Sequence, residues 1–148
     1  MKKILVDTDF SEHADYAVKS AASLAKQTGA QLILLHVINR HLDSEDDSNK
    51  GCYDMLVSNR IESRVQKKLN AIIKKYKLNE AKVFYEFRYD EFKAILKHAD
   101  RHEVDLIVMG AYGSTGSEGT FIDPNTKRVM LQTKTPVMIV KEKFKLIL

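Results

Sequence analysis

The sequence predicts an α/β fold, a three-layer sandwich in which a five-stranded parallel sheet, order 3-2-1-4-5, carries about four helices on its two faces. Two patterns predict its alternating parallel layers, and the strand order is the one that would bring the ends of the first, second and fourth strands together. Short runs that are apolar almost throughout (Ile4-Leu5-Val6, Leu32 to Ile38, Leu106 to Met109, Val137 to Val140) read as strands buried on both sides. Between them lie stretches whose apolar residues recur three and four apart, the period of a helix packed on a sheet. A third observation concerns the ligand end. Four of the six glycines, Gly110, Gly113, Gly116 and Gly119, fall in the loop after the fourth strand.

Lys3 to Val6 is the first strand, and Asp7-Thr8-Asp9 follows it. Ser11 is a good N-cap, its oxygen suited to an unpaired N–H of a first helical turn, and the helix runs from about Glu12 to Thr28. Ala14, Ala17, Val18, Ala21, Leu24 and Ala25 give this helix a face of mostly small residues for close packing, and Gly29 ends it. Leu32 to Ile38 is the second strand. Its one polar member, His36, reads as a satisfied core or edge residue rather than a ligand. The acidic stretch from Asn39 to Gly51 lacks the alternation and glycine of a calcium loop and reads as a solvated connection.

A long helix is expected from about Tyr53 to Tyr76, with Val57, Ile61, Val65, Leu69, Ile72 and Ile73 on one side. Val83, Tyr85 and Phe87 alternate with Phe84, Glu86 and Arg88, which marks a strand nearer the sheet edge. Phe92, Ile95, Leu96 and Ala99 mark a third helix ending near His102. The fourth strand spans Val104 to Met109. Thr126 to Thr133, with Val129 and Met130 inward, is the last helix, and Val137 to Val140 the last strand.

Composition narrows the class. At 148 residues, 44% hydrophobic and 30% charged, the chain suits one domain, residues 1–148, with an ordinary buried core. The net charge of +4 is spread along the chain. The basic residues at 67–68 and 74–75 read as the solvated face of the long helix, since no aromatic interleaving or recognition motif argues for nucleic acid. The single cysteine, Cys52, precludes an internal disulfide and fits a reducing compartment. With no apolar stretch long enough for a membrane span and a strand beginning at once, a cytoplasmic protein is expected. His98 and His102 form an i, i+4 pair without a third ligand, so they read as surface residues and no metal site is expected.

In a sheet of this order, ligands bind beyond the carboxyl ends of the strands. Asp7-Thr8-Asp9, Val37 to Asn39 and the glycine loop would meet there. Glycines let backbone approach a ligand closely, and a loop leading into a helix can aim N–H groups at an anion.

Four segments, KKILVDTDFSEHADYAV, LLHVI, VDLIVMGAYG and TPVMIVK, together resemble the universal stress protein family over nearly the whole chain. The resemblance implies a five-stranded parallel sheet, a homodimer formed through the last strand (here Val137 to Val140), and a stress-response regulator that in many members binds ATP or a related adenine nucleotide. Carried over by position, Asp9 would face the ribose, the backbone of Val37 the adenine, and Met109, Gly110 and Gly113 would open the G-x-x-G part of the nucleotide signature, with Asp7 and Thr8 beside them. After nine intervening residues, 114–122, the signature calls for Gly and then Ser or Thr, where this chain has Asp123 and Pro124. The family's proline before the last strand is matched by Pro136, which fixes the register. Asp7 stands where many relatives have Pro or Ala, and Tyr89 where many have glycine, its ring placed to narrow the crevice.

The break has a physical cost. Pro124 offers no N–H, and Asp123 brings a negative charge toward a polyanion. The leading expectation is therefore a non-catalytic, dimeric stress-type regulator whose crevice has lost its phosphate-binding half and takes a smaller adenine ligand, some other small ligand, or none. The alternative is an ATP-binding member in which Ser114, Thr115, Gly116 and Ser117, up to Gly119, rebuild a phosphate cradle. ATP or AMP, with Mg²⁺ accompanying the phosphates, are the candidate ligands, neither of them assured. A further protein partner is compatible with such a role, whereas nucleic acid and membrane are not expected. An enzyme of a related fold is disfavoured: no phosphate or flavin motif follows the first strand and no nucleophile–base pair is visible, leaving at most weak nucleotide hydrolysis.

Overall fold

The computed structural model describes residues 1–39, 55–112 and 122–141. Its elements run β1 (Lys3–Asp7), α1 (Glu12–Thr28), β2 (Gln31–Ile38), α2 (Met55–Tyr76), β3 (Lys82–Phe87), α3 (Glu91–Arg101), β4 (Leu106–Gly110), α4 (Pro124–Gln132) and β5 (Val137–Val140). The strands pair in parallel in the order β3-β2-β1-β4-β5, so the chain reverses its winding at β1, between β2 and β4. The predicted fold class and strand order are the observed ones. Most of the acidic loop after β2, Cys52, the expected start of α2 at Tyr53 and the glycines from Gly113 to Gly119 lie outside the described residues.

Side chains alternate across each strand, and that alternation divides the core into two layers. Ile4, Val6, Leu32, Leu34 and Val108 face Ala17, Val18 and Ala21 of α1 and Ile61, Val65 and Leu69 of α2. Leu5, Ile33, Leu35, Ile107 and Met109 face Phe92, Ile95 and Ala99 of α3 and Val129 of α4. Because both faces are covered, the central strands are apolar at successive positions, and this is why they read as unbroken runs. β3 is half-buried almost throughout, as an edge strand should be. Among the described residues no helix is long and apolar enough to cross a membrane.

The capping residues act as their chemistry dictates. Ser11 accepts the Ala14 N–H through its side chain, and Gly29 ends α1 at φ 74°. Three expectations are corrected. The last helix begins at Pro124 rather than Thr126, because Pro fits the first helical position, where its missing N–H would have no intrahelical partner. Met130 is 40% exposed, since on this short helix Thr126 and Val129 take the inward positions. His98 is buried rather than on the surface, packed by Phe84 with its Nε2 3.4 Å from Glu86 Oε1. It is thus a core histidine, and burial lowers its pKa.

Candidate functional site

β1 ends in a turn fixed from several sides. Thr8 N–H donates to the Leu35 carbonyl (2.9 Å), and the Thr8 carbonyl accepts from His36 Nδ1 (2.7 Å). Phe10 adopts a left-handed φ of 66°, costly for a bulky residue. Its N–H donates to Thr8 Oγ1 (3.1 Å), and its ring packs 4.2 Å from that of His36. The Ser11 N–H donates to Asp9 Oδ1 at 2.9 Å. His36 therefore has a structural role, as its solitary polar position on the strand implied: it ties β2 to the turn that carries the acidic residues.

On the other side of the switch point, β4 ends at Gly110. A Cβ there would meet the backbone of His13 at 2.9 Å, so the glycine lets the first turn of α1 lie against β4. Helix packing alone accounts for this glycine, independently of any ligand. The chain then turns between fixed points. Ala111 N–H donates to the Val140 carbonyl, Asp123 N–H to the Ala111 carbonyl, and Thr126 Oγ1 to the Gly110 carbonyl. Asp123 caps α4 with its carboxylate: Oδ2 accepts from the N–H groups of Asn125 (3.0 Å) and Thr126 (3.2 Å). A helix N-terminus is where an anion binds, and here a side chain of the protein supplies that anion.

Asp7, Asp9, Glu91 and Asp123 converge on one crevice, completed by Ala14, Met109, Gly110, Tyr112 and Thr126. The enclosed space is about 20 Å³, room for one water molecule. Asp7 is buried, and burial first, then the charge of Glu91, raises its pKa well above the ordinary carboxylate range. Asp7 and Glu91 line the same crevice, and the charge of Glu91 opposes ionisation of Asp7. Asp7 Oδ1 is buried without a hydrogen-bond partner. Glu91 is also raised, mainly by burial, and its Oε2 accepts from Asn125 Nδ2 at 2.8 Å. Burial raises Asp123 as well, against the opposing effect of the two N–H groups it accepts from. The crevice is an accumulation of acid whose burial disfavours the charged forms. Among the described residues no group of three or more His, Cys, Asp or Glu side chains is placed to hold a metal ion.

Of the residues singled out in the sequence, Asp7, Asp9, Met109, Gly110 and Asp123 line this crevice together. Thr8 is buried beside it and acts through its backbone. Val37 lies on β2 past the last β1 pairing. It shares the parity of Leu35, so its N–H and C=O point to the side where β1 has ended. Pro124 opens α4. Gly113, Ser114, Thr115, Gly116 and Ser117 lie outside the described residues. Tyr89 was expected to narrow the crevice but is 85% exposed and lines none of it. Sequence reading missed Glu91. The available signal was its place in the first turn of a helix that follows a parallel strand, which sets it at the carboxyl edge of the sheet near Asp7.

The profile described as the Universal stress protein family matches residues 1–141. Universal stress protein MJ0577 of Methanocaldococcus jannaschii is 28% identical, the match covering 96% of each chain. A solved structure of MJ0577 superposes with a TM-score of 0.80 at 27% identity, covering 97% of this chain and 98% of that one. A universal stress protein in complex with cAMP matches at TM-score 0.65 and 21% identity, over 95% and 96% of the two chains. One from Archaeoglobus fulgidus in complex with dAMP gives 0.64 and 19%, over 95% and 98%.

Proposed function

The chain belongs to the universal stress protein family, and from that membership we propose that it is a non-catalytic, dimeric stress-response regulator whose crevice takes the adenosine part of an adenine nucleotide and disfavours a triphosphate. The observation that carries this reading is the Asp123 carboxylate on the N–H groups of Asn125 and Thr126. It occupies the helix terminus that a phosphate would otherwise use, with Asp7, Asp9 and Glu91 beside it. The space between the acids holds about one water molecule, so the adenosine would lie beyond it, along the ends of β1 and β2. Asp9 stands in the turn after β1, and Val37 directs its backbone into the gap beyond that strand, as a purine edge would need. The relatives whose complexes contain cAMP and dAMP support an adenine ligand of low phosphate content. A cytoplasmic location and the absence of catalysis belong to the same reading. So does regulation through a further protein partner.

Calorimetric titration with adenosine, AMP and ATP, each with and without Mg²⁺, tests it. The expected order is AMP and adenosine binding, with ATP weaker by about tenfold or more, since one unit charge at ~4 Å costs up to about 4 kcal/mol at an effective dielectric near 20. ATP binding tighter than AMP would overturn the reading and point to the segment Ser114 to Gly119 as a phosphate cradle.

The dimer is proposed through β5, which pairs with β4 on one side and is half-buried over Val137 to Ile139. An exposed strand edge is a template for a second copy. Ile139→Lys is expected to shift the mass from two chains to one by light scattering, and an unchanged mass would rule this interface out.

A further inference from the structure

We propose that the crevice takes up protons together with its nucleotide, so that an adenine nucleotide binds at mildly acid pH and is released toward neutral pH. This rests on the reading above that the crevice is the adenine-nucleotide site, and adds its regulation. The geometry that argues for it is a buried Asp7 carboxyl with the half-buried Glu91 beside it in one crevice. Asp7 Oδ1 lies buried with no hydrogen-bond partner in a crevice that Asp9, Glu91 and Asp123 also line, and the charge of Glu91 opposes ionisation of Asp7.

The titratable groups around the pair offer little compensation. From the turn after β1 comes Asp9, and from the cap of α4 comes Asp123, both repelling charge on Asp7 and Glu91. From β2, His36 favours the ionised form of Glu91, but its Nδ1 is engaged by the Thr8 carbonyl. From α1, His13 lies edge-on to Tyr112 with its Nδ1 toward the Lys141 carbonyl, 3.2 Å away. On α3, Lys93 pairs with the exposed Asp90, and on α4 the Arg128 guanidinium lies over the Phe92 ring. No lysine or arginine lines the crevice among the described residues. Burial and mutual repulsion already raise the pKa values of Asp7, Glu91 and Asp123. An arriving phosphate adds one more negative charge and strengthens proton binding further. By reciprocity, protonation strengthens phosphate binding by the same factor. A site that takes up one proton per ligand gains at most about tenfold in affinity per pH unit.

Cyclic AMP is the suitable probe, because its phosphodiester keeps one charge across the range, whereas a phosphomonoester has a second pKa of about 6. The full chain is titrated by calorimetry at about pH 5.5 and about pH 7.5, above the ordinary range of carboxylates. Two buffers of different protonation enthalpy are used, with uncharged adenosine alongside. The expected result is cyclic AMP binding about tenfold tighter or more at the lower pH, with uptake of about one proton, and adenosine changing less than about twofold. Asp7→Asn and Glu91→Gln, tested separately so that either can report if the other fails to fold, should each bind cyclic AMP nearly equally at both pH values. Equal cyclic AMP affinity at both pH values in the unmodified chain, with adenosine binding, would overturn the proton linkage and leave the site reading intact. Silence of both ligands at both pH values would overturn the site reading and this proposal with it. Full pH dependence retained in both variants would also overturn the proposal.

Discussion

Asp123→Gly combined with Pro124→Ser is expected to raise ATP affinity by about a hundredfold, within a ceiling near a thousandfold set by one unit charge at ~4 Å and an effective dielectric near 20. Two effects add. The first is removal of a carboxylate that caps α4 from the inside, which frees the N–H groups of Asn125 and Thr126 for a phosphate. The second is a new N–H and hydroxyl at the first helical position, where Pro124 has neither. The fold should tolerate the change, because replacing an Asp cap by glycine costs only a few tenths, roughly, of a kcal/mol. Pro124→Ser alone should gain little, since the charge remains. Calorimetry on the double variant and on each single one checks this. No gain in the double variant would place any phosphate away from α4.

Much of this site was legible in the sequence, and the limits of that legibility are physical. The alternation of strands and helices followed from buried runs between amphipathic stretches, whereas the strand order 3-2-1-4-5 was the condition on which the three loops would converge. Asp7, Asp9, Met109 and Gly110 were legible because each stands at the end of a strand whose limits are sharp. Asp123 was read as an intruding charge, yet its role as a helix cap was hidden by starting the helix two residues late, at Thr126. That start followed the apolar period, which Pro124 and Asn125 do not carry. Glu91 was missed because helical periodicity assigns a first-turn acid to solvent, while the crevice is made by neighbours far away in sequence. His98 was misplaced for a related reason. The partners that bury it, Phe84 and Glu86, lie on another element, and no local pattern announces them. Gly110 was read for a ligand, and only the approach of His13 reveals its packing role.

Asp7→Asn is expected to stabilise the fold near neutral pH, by about 1–3 kcal/mol, the usual cost of a buried polar group left unsatisfied. Asp7 has a raised pKa in the folded chain, so the folded state keeps a proton that the unfolded state has released. Its favourable contribution is complete below the unfolded carboxylate pKa and is lost as pH rises through the raised value. Near neutral pH the unmodified chain must therefore hold either a proton the solvent would remove or a buried charge with Glu91 and Asp9 against it. Asparagine keeps the shape and places no charge beside Glu91. The gain should consequently shrink to nothing as pH falls to about 4, where the unfolded carboxyl is itself half-protonated. His98 and His102 act in the opposite sense. Burial lowers their pKa values, so stability falls as pH drops through the ordinary histidine range. Both histidines are present in both proteins, and the difference between variant and parent cancels them as long as the sites do not couple. Thermal melts at several pH values read the effect as about 2–4 °C per kcal/mol for a domain of this size. A variant less stable than its parent near neutral pH would mean that the Asp7 carboxylate is held by favourable contacts, and that the crevice does not store the repulsion that a proton-linked site requires.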